Sequence, residues 1–80
     1  PDPFQPLPVR AFAYAGVITI DLRLIENDCG VQIFDAYGKL VFDQTIAAAS
    51  QTKFSLSGRR GVYIIRIQND QGRAVRKIVI

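Results

Sequence analysis

After residue 8 the chain alternates between short runs of Val, Ile, Phe, Tyr and Thr and short clusters of turn-forming residues. Seven runs stand out, at about 9–14, 17–24, 31–35, 39–46, 52–56, 61–68 and 73–80, punctuated at Gly16, Asn27–Gly30, Tyr37–Gly38, Ser57–Gly61 and Asn69–Gly72. Branched and aromatic side chains suit a pleated, half-buried surface, while Gly, Asn and Asp tolerate the backbone angles of tight turns. Within the second run Ile18, Ile20, Leu22 and Leu24 fall on one face and Thr19, Asp21 and Arg23 on the other, the alternation of an antiparallel strand with one buried side. Seven such strands predict an all-β fold, a sandwich of two antiparallel sheets. The only helical signal is Ile46–Ser50, whose three alanines allow a single turn.

The last twenty residues form the clearest unit. GVYIIRIQ and RAVRKIVI flank an Asn-Asp-Gln-Gly loop. A four-residue loop pairs Gln68 with Arg73 and Val62 with Val79. One face then carries Tyr63, Ile65, Ile67, Ala74 and Ile78, with Arg76 as an outlier, and belongs to the core. The other carries Val62, Ile64, Arg66, Val75, Lys77 and Val79, a mixed apolar and basic stripe. Two readings stay open: a covering loop or tether, or a docking surface.

The first eight residues hold all four prolines, which remove amide donors and favour extended chain. They are read as a linker, with the folded domain over 9–80. Of the 80 residues 49% are apolar and 21% charged, ordinary for a folded domain and far from disorder. The longest apolar run, 11–20, is about half the roughly 20 residues that a bilayer-spanning helix needs. No export signal opens the chain, so if the protein is exported its signal lies upstream on a longer precursor. The net charge of +3 is unevenly spread: residues 1–50 sum to −3 and residues 51–80 to +6. The basic half comprises Lys53, Arg59, Arg60, Arg66, Arg73, Arg76 and Lys77 against Asp70 alone. Such an end meets an anionic partner, or simply keeps strand edges soluble.

Composition argues against catalysis. The chain has no His and one Cys, Cys29, so the commonest general base, the commonest zinc ligand and any internal disulfide are missing. Cys29 reads as a small turn or core-edge residue. Asp35 and Asp43 share a predicted hairpin. A two-residue turn at Tyr37–Gly38 sets Asp35 beside Leu40 and Asp43 beside Gln32, on opposite faces. A three-residue turn with a left-handed Gly38 puts both on one face but about 13 Å apart, beyond the roughly 5–9.5 Å of glycosidic carboxylate pairs. Glu26, Asn27 and Asp28 lack the spacing of a calcium loop, and Ser50, Ser55 and Ser57 have no base to activate them. No catalytic residue, metal site or cofactor is expected. Neither nucleic acid nor carbohydrate is expected as a ligand, because bases and sugars need exposed aromatic platforms, whereas there is no Trp and Phe34, Phe42, Phe54 and Tyr63 sit in strand positions that read as core.

Three segments together resemble a known family. VQIFDAYGKLV at 31–41 places Asp35, Gly38 and Lys39; GVYIIRI at 61–67 places Gly61, Val62 and Tyr63; and Arg76-Lys77-Ile78-Val79-Ile80 closes the sequence. In this order they resemble the type A C-terminal sorting domain of the type IX secretion system of Bacteroidota, over about residues 17–80. One departure is that Pro1-Asp2-Pro3 stands well ahead of Val17, where the family's Pro-Asn-Pro motif lies a few residues before the first strand. The resemblance implies an Ig-like β-sandwich that acts as a secretion address, exported through the periplasm to the surface or medium. It implies recognition by the outer-membrane translocon and its shuttle protein, and removal by a sortase-like peptidase. By that pattern the recognition residues are Gly38, Lys39, Gly61, Val62, Tyr63, Lys77, Ile78, Val79 and Ile80. The chain would not be an enzyme, although it could end the precursor of one. The alternative is an Ig-like or fibronectin-like spacer, or a ligand-binding sandwich of a secreted protein. Dimerisation through a bare strand edge is conceivable.

Overall fold

A computed structural model of the chain describes residues 5–55 and 60–80. Expectations that fall on Pro1, Asp2, Pro3, Ser57 or Arg59 lie outside the described residues. The described strands are β1 (Gln5–Pro6), β2 (Arg10–Tyr14), β3 (Val17–Asp21), β4 (Cys29–Phe34), β5 (Leu40–Ile46), β6 (Gln51–Ser55), β7 (Val62–Asn69) and β8 (Gly72–Val79). They form a five-stranded sheet, in the order β1-β8-β7-β4-β5, and a three-stranded sheet, β2-β3-β6. All pairings are antiparallel except that of the two-residue β1, which runs parallel to β8. The fold is the expected all-β sandwich.

The core lies between the sheets and follows the alternation. Val31, Ile33, Ile65 and Ile67 enter from the five-stranded sheet and Ile18 and Ile20 from the three-stranded sheet, joined by Leu22 just past the end of β3, all fully buried. Each such side chain contributes about 1.5–3 kcal/mol of burial. Phe42 and Phe54 stack across the gap between the sheets with ring centroids 4.3 Å apart. Arg76, the outlier on the inner face of β8, reaches the Val9 carbonyl with its guanidinium at 3.4 Å. It thereby closes the rim of the core with a polar contact. Residues 5–7 lie along β8, where the Leu7 amide bonds the Arg73 carbonyl and the Leu7 side chain joins the core. The proline-rich stretch read as a linker thus contributes one core residue and a short strand.

Three local expectations need correction. The strand expected over 17–24, β3, stops at Asp21 rather than Leu24. The Asp21 carboxylate accepts from the Arg23 amide at 3.0 Å and pairs with its guanidinium at 2.8 Å, which bends the chain. Leu24 is therefore 77% exposed, and Ile25 takes the core position instead. The 46–50 stretch is a turn, not a helix. Ala49 has φ +55, its amide bonds the Ile25 carbonyl, and the Ala48 amide bonds the Asp28 carboxylate. Phe34, read as core, lies on the outer face of its sheet.

Candidate recognition face

The loop between β4 and β5 is built by Asp35 and Gly38. The Asp35 carboxylate accepts from the Tyr37 and Lys39 amides, both at 2.9 Å, and its backbone pairs with Lys39 and Gly38. Asp35 is thus the acceptor that closes a three-residue turn. Gly38 has φ +84, the left-handed geometry in which a side chain is strained. Three residues further on, Val41 is bulged out, because Ile33 faces Phe42 while Phe34 faces Leu40. The bulge restores the pairing of Asp43 with Gln32. The hairpin therefore combines the three-residue turn of one expected register with the far pairing of the other. Asp35 is bonded within its own turn and Asp43 lies opposite Gln32.

Gly61 does a similar job at the start of β7. Its φ of +150 lies where only glycine is comfortable, and it exchanges two backbone hydrogen bonds of 2.9 Å with Ile80. The end of the last strand is thereby fastened beside the Gly-Val-Tyr segment. Because Phe34 faces Ile64 and Val62 faces Val79, the β4–β5 loop, Gly61–Tyr63 and residues 77–80 all meet at one end of the five-stranded sheet.

The register also arranges the outer face of that sheet in rows across β8, β7, β4 and β5. Lys77, Ile64, Phe34 and Leu40 form one row; Val75, Arg66, Gln32 and Asp43 form the next; Val79 and Val62 lie beyond the first. Val79 is 65% exposed and Val75 53%, and Lys77 and Lys39 are exposed as well. The Arg66 guanidinium sits 5.4 Å above the Phe34 ring and donates to the Gln32 side-chain oxygen. Its Nε is buried with no hydrogen-bond partner among the described residues. The mixed stripe foreseen on the last hairpin is therefore an open surface over Val62, Val75, Lys77 and Val79. Phe34 and Leu40, which were outside the stripe read from the sequence, extend it beside Ile64 and Arg66.

The nine singled-out residues divide into two groups. Lys39, Val62, Lys77 and Val79 face solvent. Tyr63 and Ile78 point into the core, Gly38 and Gly61 hold backbone shapes, and half-buried Ile80 packs against the core edge. Cys29 is fully buried beside Asn69 and Asn27, and burial pushes its thiol pKa up, away from the reactive thiolate. Asn27 donates to Asp70 and Asp28 accepts from Ala48, so both serve turns. No group of three potential metal ligands occurs among the described residues.

The family of secretion system C-terminal sorting domains matches residues 14–80. The chain belongs to this family. It is a type IX secretion sorting signal, which implies interaction with that secretion machinery and export to the cell surface or extracellular space. Among solved structures, the sorting domain is similar to a DUF3244 family protein with an immunoglobulin-like β-sandwich fold from Bacteroides vulgatus. That match has a TM-score of 0.79 and 18% identity over 91% of this chain and 84% of the other. At that identity the likeness establishes the fold, which is Ig-like. The family and the source of this neighbour fit the Bacteroidota origin implied by the motifs. No curated protein matches the chain. No helix among the described residues is long and apolar enough to cross a membrane.

Proposed function

We propose that the sorting domain is read by the outer-membrane translocon and its shuttle protein through the outer face of the five-stranded sheet, at the end where the three family segments meet. The observation that carries this reading is the convergence of the Gly38–Lys39 loop, Gly61–Val62 and the 77–80 tail around exposed Val62, Lys77 and Val79. A folded domain with no use for an interaction gains by covering such aliphatic side chains. Two exposed valines flanking an exposed lysine on one strand instead suit a partner that is apolar with an acidic spot. In this reading Lys39, Val62, Lys77 and Val79 make the contacts, and Gly38, Gly61, Tyr63, Ile78 and Ile80 hold them in place. The domain has no catalytic role. The passenger ahead of it is released at the surface by a sortase-like peptidase.

The test is an export assay in a bacterium that has the type IX apparatus, with the chain fused behind a periplasm-targeted reporter. Lys77→Glu and Val79→Glu change exposed positions only, so both variants should fold with unchanged circular dichroism. Retention of both in the periplasm, while the unmodified fusion reaches the medium or surface, supports the face. Equal export of folded Lys77→Glu and Val79→Glu domains would sink it.

A further inference from the structure

The outer face of the three-stranded sheet carries an inversion of the usual strand pattern. On β2 the large side chains Phe12 and Tyr14 point outward, 46% and 81% exposed, while the small Ala11 and Ala13 pack against the core. Folding alone favours the opposite arrangement, with aromatics inside and alanines outside. The two rings, about 6.6 Å apart along the strand, form one wall of a groove of about 410 Å³. Val17 and Thr19 make its floor on central strand β3, and Gln51 and Lys53 make the facing wall on β6. The register sets Phe12, Thr19 and Lys53 in one row across the three strands.

The composition of the groove selects its occupant. Its floor strand is paired on both sides, so no backbone donors or acceptors are open to an added peptide strand. Lys53 is the one cation among the lining residues, too little for a nucleic-acid backbone. The Asp21 carboxylate, one row away, is held by Arg23. What remains is an aromatic wall facing an ammonium and an amide across a floor in which Thr19 is buried. A pyranose ring matches this pair of surfaces, because its C–H face is apolar and its rim is lined with hydroxyl groups. A ring stacked roughly 4.5–5 Å from the aromatic wall lies within reach of the Lys53 and Gln51 side chains, whose strand is about two strand spacings (~10 Å) away. The groove volume lies in the range of small-ligand sites.

We infer that this groove is a glycan-binding site, stacking a pyranose ring of a neutral polysaccharide on Phe12 and Tyr14 and hydrogen-bonding it through the exposed Gln51 and Lys53. It lies on the opposite sheet from the proposed recognition face and does not depend on that reading.

The test is a ¹⁵N-edited NMR titration of the 80-residue chain with the hexasaccharides of glucose, xylose and mannose, each taken to about 10 mM, a range that detects millimolar binding. The expected result is shift changes centred on residues 12–19 and 51–53 with at least one sugar. Tyr14→Ala should weaken that binding about tenfold, as loss of an aromatic anchor does. Both aromatics are exposed, so Phe12→Ala and Tyr14→Ala should leave the remaining resonances in place. Absence of shifts with all three sugars would overturn the assignment. So would shifts confined to the five-stranded sheet, or binding that Phe12→Ala and Tyr14→Ala leave unchanged.

Discussion

Replacing Gly38 by Val tests whether the β4–β5 loop owes its shape to backbone conformation. The φ of Gly38 is +84, and a Cβ built there meets no atom within 4 Å. With open space around the added carbon, the expected destabilisation is not a Cβ clash. It comes from placing an L-residue in left-handed backbone, about 1–2 kcal/mol for any side chain with a Cβ, and toward the upper end for a β-branched one. Loss of glycine's freedom in the unfolded chain offsets about 0.4–1 kcal/mol of this. The net expectation is about 1–1.5 kcal/mol, which for a domain of this size lowers Tm by about 4–12 °C. An 80-residue domain has roughly 4–12 kcal/mol of stability in hand, so the variant stays folded. Urea unfolding followed by circular dichroism should rank stability as Gly38, then Gly38→Asn, then Gly38→Ala, then Gly38→Val, since Asn tolerates this geometry best. A Val variant as stable as the original would show that the loop does not need positive φ. A loss above about 4 kcal/mol would point to a mechanism other than backbone strain. Under the proposed division of labour, the folded Gly38→Val domain is still exported.

Two further measurements probe the rest of the scaffold. Asp21 has its pKa lowered from 3.8 to about 2, chiefly by the side-chain hydrogen bond from Arg23 and then by the Arg23 amide. A carboxyl with a depressed folded-state pKa stabilises fully above its unfolded value, and that stabilisation is lost as pH falls from 3.8 through about 2. The urea midpoint should therefore decline across that window, and Asp21→Asn should decline less; parallel curves would show that Asp21 is not the group responsible. The hairpin joining β2 to β3 turns on Ala15 at φ +52 and Gly16 at φ +79. Two-residue turns with positive φ at both positions favour Asn-Gly, so Ala15→Asn should add about 0.5–1 kcal/mol and raise the melting temperature by a few degrees. A lower melting temperature would count against that turn type.

What could be read from the sequence was whatever a two-residue period determines. The β7–β8 hairpin has the foreseen register, Gln68 opposite Arg73 and Val62 opposite Val79. One further pair, Asn69 with Gly72, shortens its loop, and the Asn69 side chain accepts from the Gln71 and Gly72 amides. Alternation marks faces there because one face is continuously apolar. It fails where a single side chain captures the backbone. Asp21 ends its strand by bonding Arg23, which no periodicity announces, so Leu24 was assigned to the wrong environment. The bulge at Val41 is hidden for a related reason: the residues on both sides of it are apolar, and either register gives a plausible pattern. Phe12 and Tyr14 escaped notice because burial is a property of the assembled sandwich. Their strand lies at the edge of a three-stranded sheet, and the alternation of Phe and Tyr with Ala does not by itself say which set faces in.

The architecture of the last hairpin also explains why its tail is a hard segment to interpret by deletion. Removing residues 77–80 takes away exposed Lys77 and Val79, which are the proposed contacts. It also takes buried Ile78 out of the core and breaks the Gly61–Ile80 backbone pair. An Ile lost from a packed core costs about 2–5 kcal/mol, a large share of what an 80-residue domain possesses. A truncated domain that fails to leave the periplasm would thus be silent on whether the partner missed a contact or met an unfolded chain. Alternation resolves this, since neighbouring residues on β8 serve opposite faces. Ile78 belongs to the fold and its neighbours Lys77 and Val79 to the surface, so single substitutions one position apart separate a recognition defect from a folding defect.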